Sequence, residues 1–508
     1  METIDVDVLV VGAGPTGLTL ACDLARRGVS VRVIDKSATA FAGSRGKGLQ
    51  PRTLEVFDDL GIVDRVLTSG SAYPRMRVHL GFLSLPWSMM ERSPVAPHTP
   101  YPNPWLLPQA RTEALLRERL SELGVRVDYG SELTSFYQHE EAVSATLANT
   151  GRVRARYLVG ADGGRSSVRK LLGLALAGSS LDEPCALVGD VRVDGLDRRY
   201  WHVWPRARGG VVALCPLPDG ERFQLFAQLS SDASSPALNE AAVRDHVAQA
   251  IGRPALALHD PSWLSLYRPQ ARMVGQYRDR RVFLAGDAAH VHPPTGGQGL
   301  NIGVQDAYNL GWKLEASLRG APDSLLDTYQ TERVPIARAV LGLSTDLYQR
   351  GVGSQRRGAT TKQLGMNYRG GPLSVDLRSP AKRALQAGDR APDAHLTDGR
   401  RLFDLLRGPH LTLLVFGRQA AQLAASATTA TRARIVHVLA DHEAGDSLGS
   451  VHDERHELAR TYGAKMGDVF VIRPDGYLGL CAQLPERKLL AHYLASVGPQ
   501  SPYFTEQP

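Results

Sequence analysis

Residues 6–35 read VDVLVVGAGPTGLTLACDLARRGVSVRVID. Val6 to Val11 is apolar apart from Asp7 and reads as a strand. Gly12-Ala13-Gly14-Pro15-Thr16-Gly17 follows, and Pro15 to Arg27 then sets Leu18, Ala21, Leu24 and Ala25 at helical spacing until Gly28 stops the run. Val29 to Ile34 alternates apolar and polar positions, so the span predicts a strand, a helix and a second strand joined by a right-handed crossover. The glycines allow a tight turn, close approach of backbone to a pyrophosphate, and close packing of helix on strand. An anion placed there meets the unpaired N–H groups and positive dipole end of the helix. Asp35 closes the second strand, where a carboxylate accepts hydrogen bonds from an adenosine ribose, with Lys36 beside the same sugar. This span predicts a dinucleotide site and leaves FAD and NAD both open.

Further along, Arg281 to Asp287 reads RVFLAGD and continues AAHVHPPTGGQGLN. Arg281 to Ala285 reads as a buried strand, and Asp287 at its end can bind a polyol hydroxyl. The glycines that follow let backbone run against a planar ring, and a helix starting near Asn301 points its dipole at negative charge on that ring, which suits a reduced flavin. A third stretch, Tyr157 to Ser166 (YLVGADGGRS), ends a strand in an Asp162-Gly163 turn, with Ser166 or Ser167 placed to cap the helix carrying Val168, Leu171 and Leu172.

Between these stretches the texture changes. Residues from about 73 to 108 are rich in proline and aromatics and read as irregular structure. A helix is predicted from Thr112 to Leu123, with strands at Val125–Tyr129 and Tyr157–Val159. Cys185 to Leu229 breaks into short alternating segments separated by Gly-rich turns, an antiparallel sheet, followed by a helix from Asn239 to Ile251. The nucleotide-type text returns with a helix from Val304 to Leu318. A composition shift at Ala387–Pro392 precedes a small α/β unit with strands at Leu411–Phe416 and Val469–Ile472. The expected architecture is therefore α/β: a discontinuous Rossmann-like domain at 1–75, 106–180 and 270–388, a sheet domain inserted as 76–105 and 181–269, and a C-terminal domain at 389–508. The junction of the first two is where a ligand cleft is expected.

Composition narrows the class. The chain has 508 residues, 43% hydrophobic and 22% charged, ordinary globular usage that argues against extended disorder. A net charge of +7 without a basic run gives no footprint for nucleic acid. Cys22, Cys185, Cys215 and Cys481 are scattered, with no CxxC and no histidine pair at metal spacing, so neither a disulfide framework nor a metal site is expected. Reduced thiols fit a cytoplasmic protein, and neither a signal peptide nor a membrane span is read.

The three stretches, in this order and spacing, resemble the group A flavin-dependent aromatic hydroxylases, typified by para-hydroxybenzoate hydroxylase and phenol hydroxylase, over roughly residues 5 to 345. Gly286-Asp287-Ala288-Ala289-His290, Pro293-Pro294 and Gly297-Gln298-Gly299-Leu300-Asn301 carry the likeness. Ser44-Arg45-Gly46, Pro51-Arg52-Thr53 and Asp306 to Leu314 are similar to actinobacterial polyketide hydroxylases and the related rifamycin and tetracycline monooxygenases. The resemblance implies FAD, with Gly12, Gly14 and Gly17 on the pyrophosphate, Asp35 and Lys36 at the ribose, and Arg45 at the phosphates. It further implies Gln109 and Asp287 on the ribityl chain, Leu300 and Asn301 presenting backbone to the pyrimidine edge, and Asp162-Gly163 supporting the cofactor. It implies NADPH or NADH as reductant, O₂ as co-substrate, and oxygen transfer to a multi-ring phenolic aromatic through a flavin C4a-hydroperoxide shielded from water. By the same resemblance the Pro293-Pro294 loop is expected at the reacting edge. It also implies a thioredoxin-like C-terminal domain, here without a redox dithiol.

The residues leave several points open. No catalytic base is identified; His79, His202 and His292 qualify by residue type alone. Trp201, Trp204, Phe223, Phe226 and Trp87 are the expected substrate surface. An enzyme that inactivates an aromatic antibiotic, a flavin-containing protein that sequesters a drug, and a nicotinamide-only dehydrogenase are the competing readings, and the assembly is expected to be a monomer or homodimer.

Overall fold

The computed structural model describes residues 3–498 except 82, 150, 181–184, 219, 230–236, 253–255, 294–295, 350–357, 379–384, 429–432 and 440–448. Strand β1 (Val6–Val11), helix α1 (Pro15–Arg26) and strand β2 (Val31–Asp35) form the unit read from the sequence. β1 lies at the centre of a sheet ordered Arg278–Asp279, Val282–Leu284, Gly151–Gly160, β1, β2, Val127–Tyr129. Val10 pairs in parallel with Val159 on one side and Val33 on the other. Val8, Leu9 and Val10 are wholly buried, as an unbroken apolar run in a parallel sheet requires. Helix α1 packs on the long helix Gly299–Leu318 through small residues: a Cβ on Gly303 would strike the Thr16 hydroxyl, and one on Gly311 the Asp23 carboxylate. That helix starts at Gly299, earlier than the apolar periodicity from Val304 suggests.

The second sheet is ordered Leu258–Tyr267, Ala186–Val193, Arg222–Gln228, Gly210–Pro216, Tyr200–Ala207, Arg75–Leu80, Leu83–Trp87. Two differences from the sequence reading stand out. The 73–108 segment supplies two of these strands, although Pro86 and the dense aromatics obscured the alternation; Pro86 is tolerated because Leu83–Trp87 is an edge strand. The sheet is also mixed rather than antiparallel, because Tyr200–Ala207 runs parallel to Arg75–Leu80. One face packs Leu187, Leu214, Phe223, Leu225 and Trp204 under the helix Glu240–Ile251.

The third sheet is ordered Val375–Asp376, Leu478–Gln483, Asp468–Ile472, Leu411–Phe416, Ala433–Leu439, Ser450–His452. Leu411, Leu413 and Val415 share a core with Trp312 and Ala316 of the long helix, so this sheet is fused to the first unit by apolar contact. Polar contact reinforces it. Arg473 is completely buried and grips Glu332 (2.6 and 2.9 Å) and Asp475 (3.0 and 2.6 Å). Lys313 adds a bond to Glu332 at 2.7 Å, and Arg52 donates to the Asp475 carbonyl at 2.5 Å. All four cysteines are free; Cys22, Cys215 and Cys481 are buried and Cys185 is half-buried. Among the described residues no helix is long and apolar enough to cross a membrane.

Candidate cofactor and substrate site

The first glycine turn has one closed side and one open side. Gly12 sits at φ +109°, a conformation L side chains rarely adopt, and a Cβ there would strike the Ala161 carbonyl. A Cβ on Gly17 would strike the Gly12 carbonyl, whereas Gly14 has nothing within 4 Å. The turn is thus pressed against its own protein on one side and free on the other. Gly14 is also the N-cap of α1 and supplies no side-chain acceptor, so the first-turn N–H groups face that free side. Asp35 braces the turn, accepting from Ala13 N at 2.8 Å and from Ser37 N at 2.8 Å. Lys36 is exposed beside it.

The other motifs converge on this turn. A Cβ on Gly286 would come within 2.5 Å of the Thr16 hydroxyl, which places the Gly286-Asp287 turn directly against α1. Asp287 opens into the cleft between them, while dense protein on its remaining sides raises its carboxyl pKa by burial, opposed by His290 and Arg45. Asp162 spends Oδ2 on Ser167 N and Val168 N at 2.6 and 3.2 Å; its buried Oδ1 has no partner among the described residues. Ser166 caps the same helix by accepting from Arg169 N at 3.0 Å. Arg169, which the sequence reading passed over, donates to Ala288 O at 3.0 Å and Gly164 O at 2.9 Å, tying these two turns together.

A strap from Phe41 to Gly48 crosses between the first and second sheets. Arg45 is exposed, its guanidinium 5.1 Å from the Phe41 ring centroid. Gln109 Oε1 accepts from Gly46 N at 3.1 Å and its Nε2 donates to Glu113 at 2.8 Å, which fixes the amide's orientation. Burial pushes the Glu113 carboxyl up to about 7. Asp190 anchors the strap, accepting from Ser44 N at 2.7 Å, from the Ser44 hydroxyl, and from Trp263 Nε1 at 2.5 Å. Lys47 donates to Gln224 and lies 4.6 Å from the centroid of Trp201.

Behind the Gly286 turn lies a buried chain of charges. His290 Nε2 meets Asp306 Oδ2 at 2.7 Å, and Arg333 donates to Asp306 Oδ1 at 2.7 Å. Burial opposes ionisation of Asp306, but Arg333 and His290 outweigh it and hold the carboxyl below its usual range. His290 Nδ1 meets His292 Nε2 at 2.8 Å, and burial, aided by His290, drops His292 to about 3, so it is neutral. Pro293 is buried next to it; Pro294 lies outside the described residues.

Buried amides hold the next part of the loop. Asn301 uses its side chain, accepting from Gln50 N at 2.7 Å and donating to Gly48 O and Gly297 O at 2.8 and 2.7 Å. Gln50 Nε2 and Gln298 Nε2 both donate to Gly296 O, at 3.0 and 2.8 Å. Leu300 packs over Gly46.

The aromatic residues expected to line a pocket divide between the two faces of the second sheet. Residues opposed across strands share a face, and the pairs Trp263–Asp190, Asp190–Gln224 and Gln224–Cys215 form one row under the strap. Trp201, opposite Met76, and Trp87, also opposite Met76, lie on that face with Val203, Ala213 and Phe226. Tyr267 shares the face and donates from its hydroxyl to His292 O at 3.2 Å. Trp204 and Phe223 are turned into the core on the other side. His79 and His202 are there too, 2.9 Å apart, with His79 stacked on Trp204 at 4.4 Å. Both of these candidate bases lie on the face turned away from the strap. A cavity of about 180 Å³ lies at the end of the open face, lined by Tyr73, Met76, Met89, Trp201 and the arginines 75 and 92. No cluster of metal-ligating residues occurs among the described residues.

These features fit FAD: an uncapped helix end behind Gly14, an acid open to the cleft at Asp287, and an unpartnered buried oxygen at Asp162. Together they define a dinucleotide-binding flavoprotein whose cofactor cleft faces a second sheet. Residues 5–344 match the FAD binding domain family and residues 385–497 the aromatic-ring hydroxylase C-terminal family. A flavin-dependent monooxygenase of Mycobacteroides abscessus is 45% identical over 96% of this chain and 99% of its own length. The 6-methylpretetramide 4-monooxygenase of Streptomyces rimosus is 35% identical over 94% and 90% respectively. The crystal structure of aklavinone-11 hydroxylase with FAD and aklavinone superposes with a TM-score of 0.83 at 28% identity, covering 98% of this chain and 99% of that one. The chain belongs to the FAD-dependent aromatic-ring hydroxylases, and it is a flavin-dependent aromatic monooxygenase.

Proposed function

We propose that this protein consumes NADPH or NADH and O₂ to hydroxylate a multi-ring phenolic aromatic of the polyketide type. The observation that carries the reading is the open face of the second sheet. It presents Trp201, Phe226, Val203 and Tyr267 toward the same strap and loop that border the FAD cleft. Relatives named for 6-methylpretetramide and aklavinone support a polycyclic ligand. The chain divides as 1–75, 106–180 and 270–388 for FAD, 76–105 and 181–269 for substrate, and a thioredoxin-like 389–508.

Within the FAD cleft, Gly12, Gly14 and Gly17 take the pyrophosphate, Asp35 and Lys36 the ribose, and Arg45 a phosphate. Gln109 and Asp287 take the ribityl hydroxyls, and Asp162 supports the same end through its free oxygen. Leu300 and Asn301 offer first-turn backbone N–H groups to the flavin's pyrimidine edge, while the Asn301 side chain is committed to the loops. When bound and reduced, FAD supplies activated oxygen to an electron-rich ring. The protein's share is to hold that ring over the cleft and exclude water. The Arg333–Asp306–His290 chain keeps a fixed, hydrogen-bonded floor beneath the Gly286 turn.

The test is a panel of polycyclic phenols, 6-methylpretetramide and aklavinone included, incubated with purified yellow protein and NADPH or NADH. Substrate-dependent nicotinamide oxidation with a product heavier by one oxygen supports the reading. Colourless protein that cannot be reconstituted with FAD, or reconstituted protein that oxygenates no polycyclic phenol, overturns it.

A further inference from the structure

The Gly296–Gln298 loop is held by a residue far from every glycine motif. Gln298 is buried and uses Nε2 to donate to Gly296 O at 2.8 Å and Thr361 O at 3.1 Å. Its Oε1 must therefore face an outside donor, and that donor is Gln363 Nε2 at 2.6 Å. The Gln363 Oε1 in turn accepts from Gln305 Nε2 at 2.6 Å, on the long helix. Donor and acceptor alternate along this ladder, so each amide has one permitted orientation.

The loop needs such a brace. Gly296 and Gly297 lie at φ +87° and +60°, where glycine is conformationally free. Gln363 itself lies at φ +63°, a region a glutamine occupies only when surrounding bonds over-determine it. The short turn Ala359–Lys362 that delivers it is pinned right beside it, because Lys362 Nζ donates to Ser93 Oγ at 2.7 Å. Ser93 directly follows the cavity-lining segment that contains Met89 and Arg92.

We propose that Gln363 is a positioning residue for the flavin: acting through Gln298, it fixes the Gly296–Gly297 backbone and the first turn of the helix against which the isoalloxazine lies. The inference rests on the FAD placement given above. Without Gln363, Gln298 Oε1 and Gln305 Nε2 are both buried without their partner, and the loop relaxes to recover hydrogen bonds.

The test compares the parent with Gln363→Leu, Gln298→Leu and the double variant. Apoprotein is titrated with FAD by fluorescence, hydrogen exchange is followed at residues 296–301, and the visible circular dichroism of bound FAD is recorded. Each single substitution should weaken FAD by about tenfold, speed exchange in the loop and alter the dichroism. The double variant should be no worse than the weaker single, because both break one ladder. Should Gln363→Leu fail to fold, Gln363→Glu preserves volume and the acceptor for Gln305 but opposes an oxygen to Gln298 Oε1, and should weaken FAD likewise. Unchanged FAD affinity and dichroism in the folded Gln363 variant, or effects that multiply in the double variant, overturn the inference. A parent protein that takes up no FAD would instead sink the cofactor placement.

Discussion

Asp287 and Glu113 show how two carboxyls acquire different duties from their surroundings. Asp287 is open to the cleft while protein encloses its other sides. Asp287→Ala should purify with little or no FAD, read from the flavin-to-protein absorbance ratio; full flavin content would refute the assignment. Glu113 is closed in, and burial raises its carboxyl from 4.5 to about 7. Folding therefore favours the protonated form, a contribution that is complete below the unfolded value and lost as pH rises through the folded one. Glu113→Gln keeps the acceptor for Gln109 and removes the charge. In FAD-free protein it should gain on the parent as pH rises from about 5 to about 8, by on the order of 3 kcal/mol, measured by urea unfolding. At this scale Asp35 and Asp287 were pointed to by the glycine turns near them, whereas Gln109, in Leu-Pro-Gln-Ala-Arg, was pointed to by the family resemblance alone. Arg169, Asp190 and Gln363 were not legible, since each acts across a long chain separation that no local pattern records.

Among the elements, the βαβ unit was readable because its periodicities and its stop signal at Gly28 agree. The Arg75–Trp87 hairpin was not, because its edge strand tolerates Pro86 and exposes Leu83 and Leu85, leaving no clean alternation. The long helix starts at Gly299, close to the Asn301 start that the glycine-rich motif suggests, while the apolar periodicity alone begins only at Val304. Gly299 and Asn301 are poor helix formers, and side-chain bonds from Asn301 to the neighbouring loops overrule that preference. The strap depends on tertiary anchoring in the same way. Asp190→Ala leaves Ser44 N and Trp263 Nε1 without their acceptor, so it should cost about 2–4 kcal/mol of stability. Faster proteolytic cutting near residues 43–48 should accompany that loss, and an unchanged cutting rate would contradict the anchoring role.

Across the whole molecule, the third sheet is bound to the first by both a shared core and a buried ionic cluster. In the turn Arg473-Pro474-Asp475-Gly476, Arg473 lies 5.2 Å from the Trp312 ring centroid with two carboxylates in its grip. Arg473→Met would leave Glu332 and Asp475 buried without it, at a cost of about 3–5 kcal/mol. Its calorimetric transition should split into two, where the parent melts as one. The order of the three sheets follows from sequence texture; the clamp between them does not, because Glu332 and Arg473 meet only after folding.

The distribution of sulfur has a practical corollary. Burial raises the thiols of Cys22, Cys215 and Cys481 above the usual range, and a shielded neutral thiol is a poor nucleophile. Cys185 alone is partly accessible, immediately before the strand Ala186–Val193 of the substrate-facing sheet. A maleimide dye should therefore attach once per native chain, giving a reporter at the end of the sheet's helix-covered side without a single engineered cysteine.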